Sequence, residues 1–341
     1  MRFRYCPCCS IIPSAMLRRL AMLEEFRQQR EELLASADLA AFMRGQRAAV
    51  GEATVLPART LAAHKHRDVF DAGGRNVLVG KLARAEGGPA TPDAAINEAY
   101  DATGTTWDFY FQVLRRNSVD GHGLPLESTV HSARATNNAF WNGTRMVFGD
   151  ATANGPFTGS FAATVDVVAH ELAHGVTQYS VPGGLTYVEQ PGALNESWSD
   201  VFGSLVKQWS LKQNVTQADW LIGAGILKPK YGQALRSMKA PGTAWVQDDQ
   251  PSTMAGYVKG GDVHTNSGIP NHAFYLAATA MGGFAWEKAG PIWYRALSLL
   301  TTTAGFADAA QATIEAAGAL YGASGLEAGA VKQAWKEVQV T

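Results

Sequence analysis

The stretch Asp166-Val167-Val168-Ala169-His170-Glu171-Leu172-Ala173-His174-Gly175 constrains this chain more than any other. On a helix, side chains four residues apart share a face. His170 and His174 can therefore turn two imidazoles toward one metal ion. Glu171 points about 100° away from His170, beside such an ion rather than on it. Two histidine ligands with a neighbouring carboxylate base are the arrangement of zinc hydrolases. The same five residues also arise on helices that merely carry two surface histidines. What decides is whether the chain supplies a third ligand, partners for the ligands and a transition-state donor.

With 341 residues the chain has room for two domains and a sizeable core. Its 29 basic and 30 acidic residues balance, which gives no support for a nucleic-acid or anionic-membrane partner. No apolar run is long enough to span a bilayer. The opening Met1-Arg2-Phe3-Arg4-Tyr5-Cys6-Pro7-Cys8-Cys9 lacks the apolar stretch of a signal peptide. Synthesis in the cytoplasm is expected, and export by a non-classical route stays open. Cys6, Cys8 and Cys9 are the only cysteines, so no disulfide framework is available and no nearby fourth ligand completes a zinc knuckle.

Residues 1–50 are rich in Arg, Glu and Leu. Met16, Leu20, Leu23, Phe26 and Leu33 keep roughly helical spacing opposite a charged face. This predicts one or two amphipathic helices, too small to fold alone. Residues 45–63 read as a loop open to proteolysis. From 67 to 90 short strands are expected, Asn76-Val77-Leu78-Val79-Gly80 among them. Thr91 and Pro92 read as the N-cap and first residue of the next helix. Residues 129–150 read as strand, turn and strand. Beyond residue 190 helices dominate, with Ala-rich segments at 272–281, 291–303, 306–321 and 326–337.

A third ligand is available in Gly192-Ala193-Leu194-Asn195-Glu196-Ser197-Trp198-Ser199-Asp200. Glu196 follows His174 by 22 residues across a turn, so a second helix can return to the first. Asp200 lies on the same face as Glu196 and can accept a ligand histidine's free ring N–H. The structural alternative is an acidic helix start.

At this point the chain resembles the thermolysin-like zinc metallopeptidases, and its short leading segment resembles the protealysin subgroup. The resemblance rests on Asn138-Ala139-Phe140-Trp141-Asn142-Gly143, the metal helix, the Glu196 helix, Leu235-Arg236-Ser237-Met238 and Val263-His264-Thr265-Asn266-Ser267-Gly268-Ile269-Pro270-Asn271-His272. It implies an α+β two-domain zincin. A β-rich domain over 51–185 would include the zinc helix, and a helical domain would cover 186–341. A helical prosegment over 1–50 would act as an intramolecular inhibitor and be removed on maturation.

The resemblance also implies roles. His170, His174 and Glu196 would ligate Zn2+, and Glu171 would act as general base. Tyr187 and His264 would donate to the oxyanion. Asn138 and Ala139 would hold a substrate backbone along an edge strand. Arg236 would bind the carbonyl of the residue after the scissile bond. Val167 and Leu235 would line an apolar pocket there, implying cleavage before bulky hydrophobic residues. The partners are then peptides or proteins, and a monomer is the working expectation. Two alternatives remain at this level, a zinc aminopeptidase and a catalytically silent peptide-binding or inhibitory homologue.

Three departures from the pattern matter. Lys259 stands five residues before His264, where the family carries Asp, so His264 is expected to lose its proton at lower pH unless Asp262, Asp248 or Asp249 substitutes. Lys207, Ala224 and Gly225 occupy acid positions of the family's double calcium site, so that site is expected to be absent, with Lys207 supplying the charge beside Asp166 and Asp219. The span from His174 to Tyr187 is two residues longer than the thermolysin pattern, which loosens the placement of Tyr187. Cys9-Ser10-Ile11-Ile12-Pro13 resembles the start of a protealysin-type prosegment. Either a thiolate of Cys6, Cys8 or Cys9 fills the open zinc position, or the helices alone cover the cleft.

Overall fold

The computed structural model describes residues 9–49 and 63–341, without the side chains of Cys9 and of 43–49. Strand β1 (Cys9–Ser10) is followed by helices α1 (Ser14–Ala21) and α2 (Arg30–Ala49). Pro13 caps α1 from an extended backbone, as its fixed φ allows. The amphipathic stretch is thus two helices, parted where Leu23 turns extended before a short 3-10 turn. Met16, Leu20, Phe26 and Leu33 are buried. The loop expected at 45–63 starts later than read, because α2 runs through Ala49; residues 50–62 lie outside the described ones.

The main sheet has six strands, ordered β1-β5-β6-β4-β2-β3. Its members after β1 are β2 (Arg67–Asp71), β3 (Lys81–Arg84), β4 (Leu126–Val130), β5 (Ala139–Trp141) and β6 (Met146–Phe148). Strand β1 lies antiparallel on β5, with Cys9 opposite Trp141 and Ser10 opposite Phe140. The leading segment therefore extends a sheet that the rest of the chain builds.

Two local expectations are corrected. Residues 76–80 are not a strand. Ser132 Oγ and Thr129 Oγ1 donate to the carbonyls of Val77 and Leu78 at 2.8 and 2.6 Å, so side chains occupy acceptors a ladder would need. Helix α3 (Ala94–Leu114) is capped by Asp93, not Thr91. The Asp93 carboxylate accepts from Ala95 N at 2.9 Å and Ile96 N at 3.3 Å, and a carboxylate also suits the positive helix end better than a hydroxyl.

Helix α4 (Val165–Ser180) carries the two histidines and packs along α5 (Glu189–Leu211). The approach is close: a Cβ at Gly203 would fall 2.6 Å from the Asp166 carbonyl oxygen. This proximity lets groups on α5 reach His170 and His174. After β7 (Leu221–Ile222) and β8 (Arg236–Ser237), a small two-stranded sheet, the chain is helical. It forms α6 (Val263–Asn266), α7 (Gly268–Met281), α8 (Ala289–Leu297), α9 (Phe306–Tyr321) and α10 (Leu326–Glu337). The helix read over 291–303 ends at Leu297 instead. Trp198, Trp293, Trp335 and Phe274 fill this half, with Trp198 Nε1 donating to the Trp293 carbonyl at 3.0 Å. Among the described residues, no helix is long and apolar enough to cross a membrane.

Candidate metal centre and substrate cleft

His170 and His174 project from one face of α4, and Glu196 meets them from α5. All three are buried, with candidate ligand atoms within 4.8 Å of one another. The two Nε2 atoms are 3.1 Å apart. Glu196 lies 3.3 Å from His170 Nε2 and 3.6 Å from His174 Nε2. A tetrahedral zinc with bonds of about 2.0–2.1 Å sets its ligands roughly 3.3 Å apart. The donor set, its spacing and its burial fit that ion.

Each ring is aimed by its far nitrogen. Asp200 Oδ1 holds His170 Nδ1 at 2.8 Å, and Asn195 Oδ1 holds His174 Nδ1 at 2.7 Å. Such contacts fix the tautomer that leaves Nε2 for a metal. Asp200 also accepts from Arg236 Nε and Nη2 and from Asn271 Nδ2, each at 2.8 Å. Burial works against its charge, but Arg236 and His170 outweigh this and hold the carboxyl well below its usual range. Burial likewise opposes charge on His170, yet Asp200 and Glu196 prevail and raise its pKa to about 9. Asn195 and Asn271 escaped the sequence reading. Asn195 carried a usable signal, since it sits one residue before Glu196 on the turn of α5 that faces α4. Asn271 lies in the His264 motif block, which marked it without giving it a role.

Glu171 is fully buried beside this set. Trp141 N donates to its Oε2 at 2.9 Å, while Oε1 has no hydrogen-bond partner among the described residues. Burial, the largest influence, lifts its pKa to about 8. A carboxylate with one anchored and one open oxygen is poised to take a proton from a water at the metal position.

Across the cleft, His264 Nε2 lies 3.1 Å from Glu196 Oε2 and 3.1 Å from the Ser10 carbonyl oxygen. Of the acids that could stand in for the family's Asp at position 259, Asp262 is the one that reaches the ring. Asp262, the N-cap of α6, holds His264 Nδ1 at 2.8 Å. Burial opposes charge on this ring, but Glu196 and Asp262 raise its pKa to about 9. Lys259 does not displace this partner, because the acid three residues later folds back within the same turn. The Tyr187 hydroxyl also reaches the site, donating to Glu196 Oε1. The longer span before it is taken up by a turn with Gly183 and Gly184 at φ of 82° and 72°.

The remaining predicted residues line the cleft floor. Asn138 Oδ1 accepts from Ile12 N at 2.9 Å and its Nδ2 donates to Ile12 O at 3.0 Å. Ile11 N donates to Ala139 O at 3.2 Å, and Arg236 Nη1 donates to Ile11 O at 3.1 Å. Val167, Leu235 and Ile11 belong to one buried apolar cluster. Cys6 and Cys8 lie outside the described residues, and of Cys9 only the backbone pairing with Trp141 is described.

Two features sit away from the cleft. Lys207 Nζ bonds Asp166 Oδ2 at 3.3 Å, Asp219 Oδ2 at 2.8 Å and the Leu221 carbonyl at 3.1 Å. His131 bridges Asp150 Oδ1 at 2.8 Å and Asp93 Oδ2 at 3.0 Å.

Comparison with known proteins agrees with this geometry. The catalytic domain of thermolysin metallopeptidases matches residues 65–178, and their alpha-helical domain matches 183–340. The solved precursor of protealysin, a metalloproteinase from Serratia proteamaculans, is 45% identical with a TM-score of 0.84, covering 97% of this chain and 99% of that one. An extracellular metalloprotease of Pectobacterium carotovorum subsp. carotovorum is 45% identical over 98% of this chain and 97% of its own. A thermolysin of Alicyclobacillus acidocaldarius subsp. acidocaldarius is 40% identical over 80% of this chain and 50% of its own.

Proposed function

The chain belongs to the thermolysin family of zinc metalloendopeptidases, and we propose that it is a zymogen whose first 50 residues are an inhibitory prosegment, with Ser10, Ile11 and Ile12 in the substrate cleft until it is removed. The observation that carries this reading is the strand β1 on the edge of β5. Ile11 and Ile12, which continue it, occupy the Ala139 carbonyl, the side chain of Asn138 and the guanidinium of Arg236. Those groups are then unavailable to any other peptide. Apolar burial of α1 and α2 and the Arg19–Asp249 and Lys230–Glu25 pairs add to the hold.

Bound at His170, His174 and Glu196, zinc would lower the pKa of a water to about 7 and polarise the scissile carbonyl. Glu171 receives the proton of the attacking water and returns it to the leaving amine. His264 Nε2 donates to the carbonyl oxygen as negative charge develops there, and Tyr187 assists from the other side of Glu196. Asp200, Asn195 and Asp262 hold the rings that do this work. Arg236 and Asn138 fix the backbone beyond the scissile bond. Val167 and Leu235 favour a bulky hydrophobic residue immediately after it.

Lys207 between Asp166 and Asp219 supports a chain that needs no double calcium site, since an ammonium already neutralises the acids. The names of relatives support action outside the cell. The domain limits follow the sequence reading, with the peptidase halves meeting near residue 185. The test is hydrolysis of a peptide blocked at both ends, before and after removal of residues 1–50, with and without chelator. Activity should appear on removal and vanish with chelator. Activity that chelator leaves untouched would refute the reading.

A further inference from the structure

We propose that the first bond this peptidase breaks is its own, between Ser10 and Ile11. The proposal rests on the function proposed above and names a substrate for that same site. The leading segment lies in the cleft in the direction of a substrate. Reading along the chain, the Ser10 carbonyl oxygen is 3.1 Å from His264 Nε2, which borders the ligand Glu196. The Ile11 amide then donates to Ala139 O at 3.2 Å, and the Ile11 carbonyl takes Arg236 Nη1 at 3.1 Å. Ile12 is clasped at both N and O by the Asn138 side chain. A reversed strand would not set these donors and acceptors against one another in this order. The carbonyl facing the oxyanion donor belongs to Ser10, and the carbonyl facing the arginine belongs to the next residue. The bond between them is the one in the reacting position.

The side chains agree. Ile11 is a bulky hydrophobe with no solvent exposure, the residue type that the apolar pocket proposed for this position takes. Cys9 pairs with Trp141, whose amide anchors Glu171 Oε2 at 2.9 Å. The general base is therefore tied to the strand that holds this bond.

Hydrolysis adds the oxygen of water to the Ser10 carbonyl carbon and breaks its bond to Ile11 N. Ser10 leaves as a carboxylate, and Ile11 keeps an amine that has gained a proton. The two products have different fates. The segment ending at Ser10 carries all three cysteines of the chain and, among the described residues, is held through the two-residue strand β1 and the His264 contact to Ser10. Residues 11–13 stay clamped by Asn138 and Arg236 and run into α1. That helix is fixed by Arg19, which donates to Asp249 and, at 2.8 Å, to the Gln247 carbonyl. Phe26 packs on Tyr231 with ring centroids 5.0 Å apart. One turnover thus removes every thiol while the cleft beyond the cut stays filled and the precursor stays latent.

The test loads the full-length precursor with zinc and follows intact mass, N-terminal sequence and thiol content. The expected product begins at Ile11, contains no thiol, and forms at a rate independent of protein concentration. Glu171→Gln and Ile11→Asp should stay uncut. A second readout needs no catalysis. In the Glu171→Gln precursor the Ile11 and Ile12 amides should exchange hydrogen at least a hundredfold more slowly than with Ile11→Asp added. An uncut wild-type precursor, whose processed form nonetheless cleaves a blocked peptide, would overturn this inference alone. Equal exchange in the two variants would do the same. A processed form that cuts nothing would bring down the peptidase reading as well.

Discussion

Arg236 grips both oxygens of Asp200, with Nε on Oδ2 and Nη2 on Oδ1, each at 2.8 Å. The same guanidinium reaches the Ile11 carbonyl with Nη1. Asp200 in turn orients His170. One arginine therefore couples the Ile11 backbone to a residue of the metal-binding triad. Arg236→Ala takes the guanidinium from a fully buried carboxylate and leaves it only His170 and Asn271; removing one partner of a buried ion pair costs about 3–5 kcal/mol in comparable sites. Thermal unfolding should fall accordingly, and kcat/KM for a blocked peptide should drop about a hundredfold or more. Arg236→Lys should not restore it, because an ammonium cannot match the fork.

Asp262 is expected to matter more than Lys259. Asp262→Ala removes the acceptor that fixes the His264 ring. Losses of such orienting partners run to about 10–100-fold. The loss should appear in kcat with KM little changed, as steady-state kinetics on the processed enzyme would reveal. Lys259→Asp should leave kcat within a factor of about three, because His264 already has its carboxylate.

Lys207 stabilises the start of the metal helix by neutralising the buried Asp166. Replacing it by Met should cost about 3 kcal/mol, since a buried acid loses its partner. Calcium should leave the melting temperature of the wild-type chain unmoved. A strong rise of that temperature with calcium would contradict the assignment.

How much of this was legible in the chain differs by residue. His170 and His174 were readable because helical spacing alone turns them to one point, and Glu196 because a second helix returning after the turn can meet them. The contacts of Asn138, Ala139 and Arg236 followed from motif blocks rather than from spacing. For His264 the chain offered three nearby acids, Asp262, Asp248 and Asp249, and only the folded turn, with Asp262 as helix cap, singles one of them out. Asn271 stood in a motif block without a role, as its contact with Asp200 exists only once α7 packs on α5. The loss of residues 76–80 as a strand has the same origin. Side chains from β4 and the turn after it claim the carbonyls, and no local pattern announces that.

His131 gives stability a pH dependence. Burial opposes its charge, but Asp150 and Asp93 outweigh this and raise its pKa above 6.5. A raised folded-state value means the contribution is fully present below about 6.5 and is lost as pH rises through the folded value. His131→Asn keeps a residue suited to the positive φ of 53° and removes the charge. Melting temperature should fall more steeply from mildly acid to mildly alkaline pH in the wild type than in this variant. Parallel curves would remove His131 from the account.

The central claim is that Glu171 moves the proton while His170, His174 and Glu196 hold the metal. The most direct measurement is blocked-peptide hydrolysis by processed Glu171→Gln with its zinc content determined on the same sample. The account predicts one zinc per chain and a kcat lowered by about 10²–10⁴-fold. Full zinc with near wild-type turnover would contradict it.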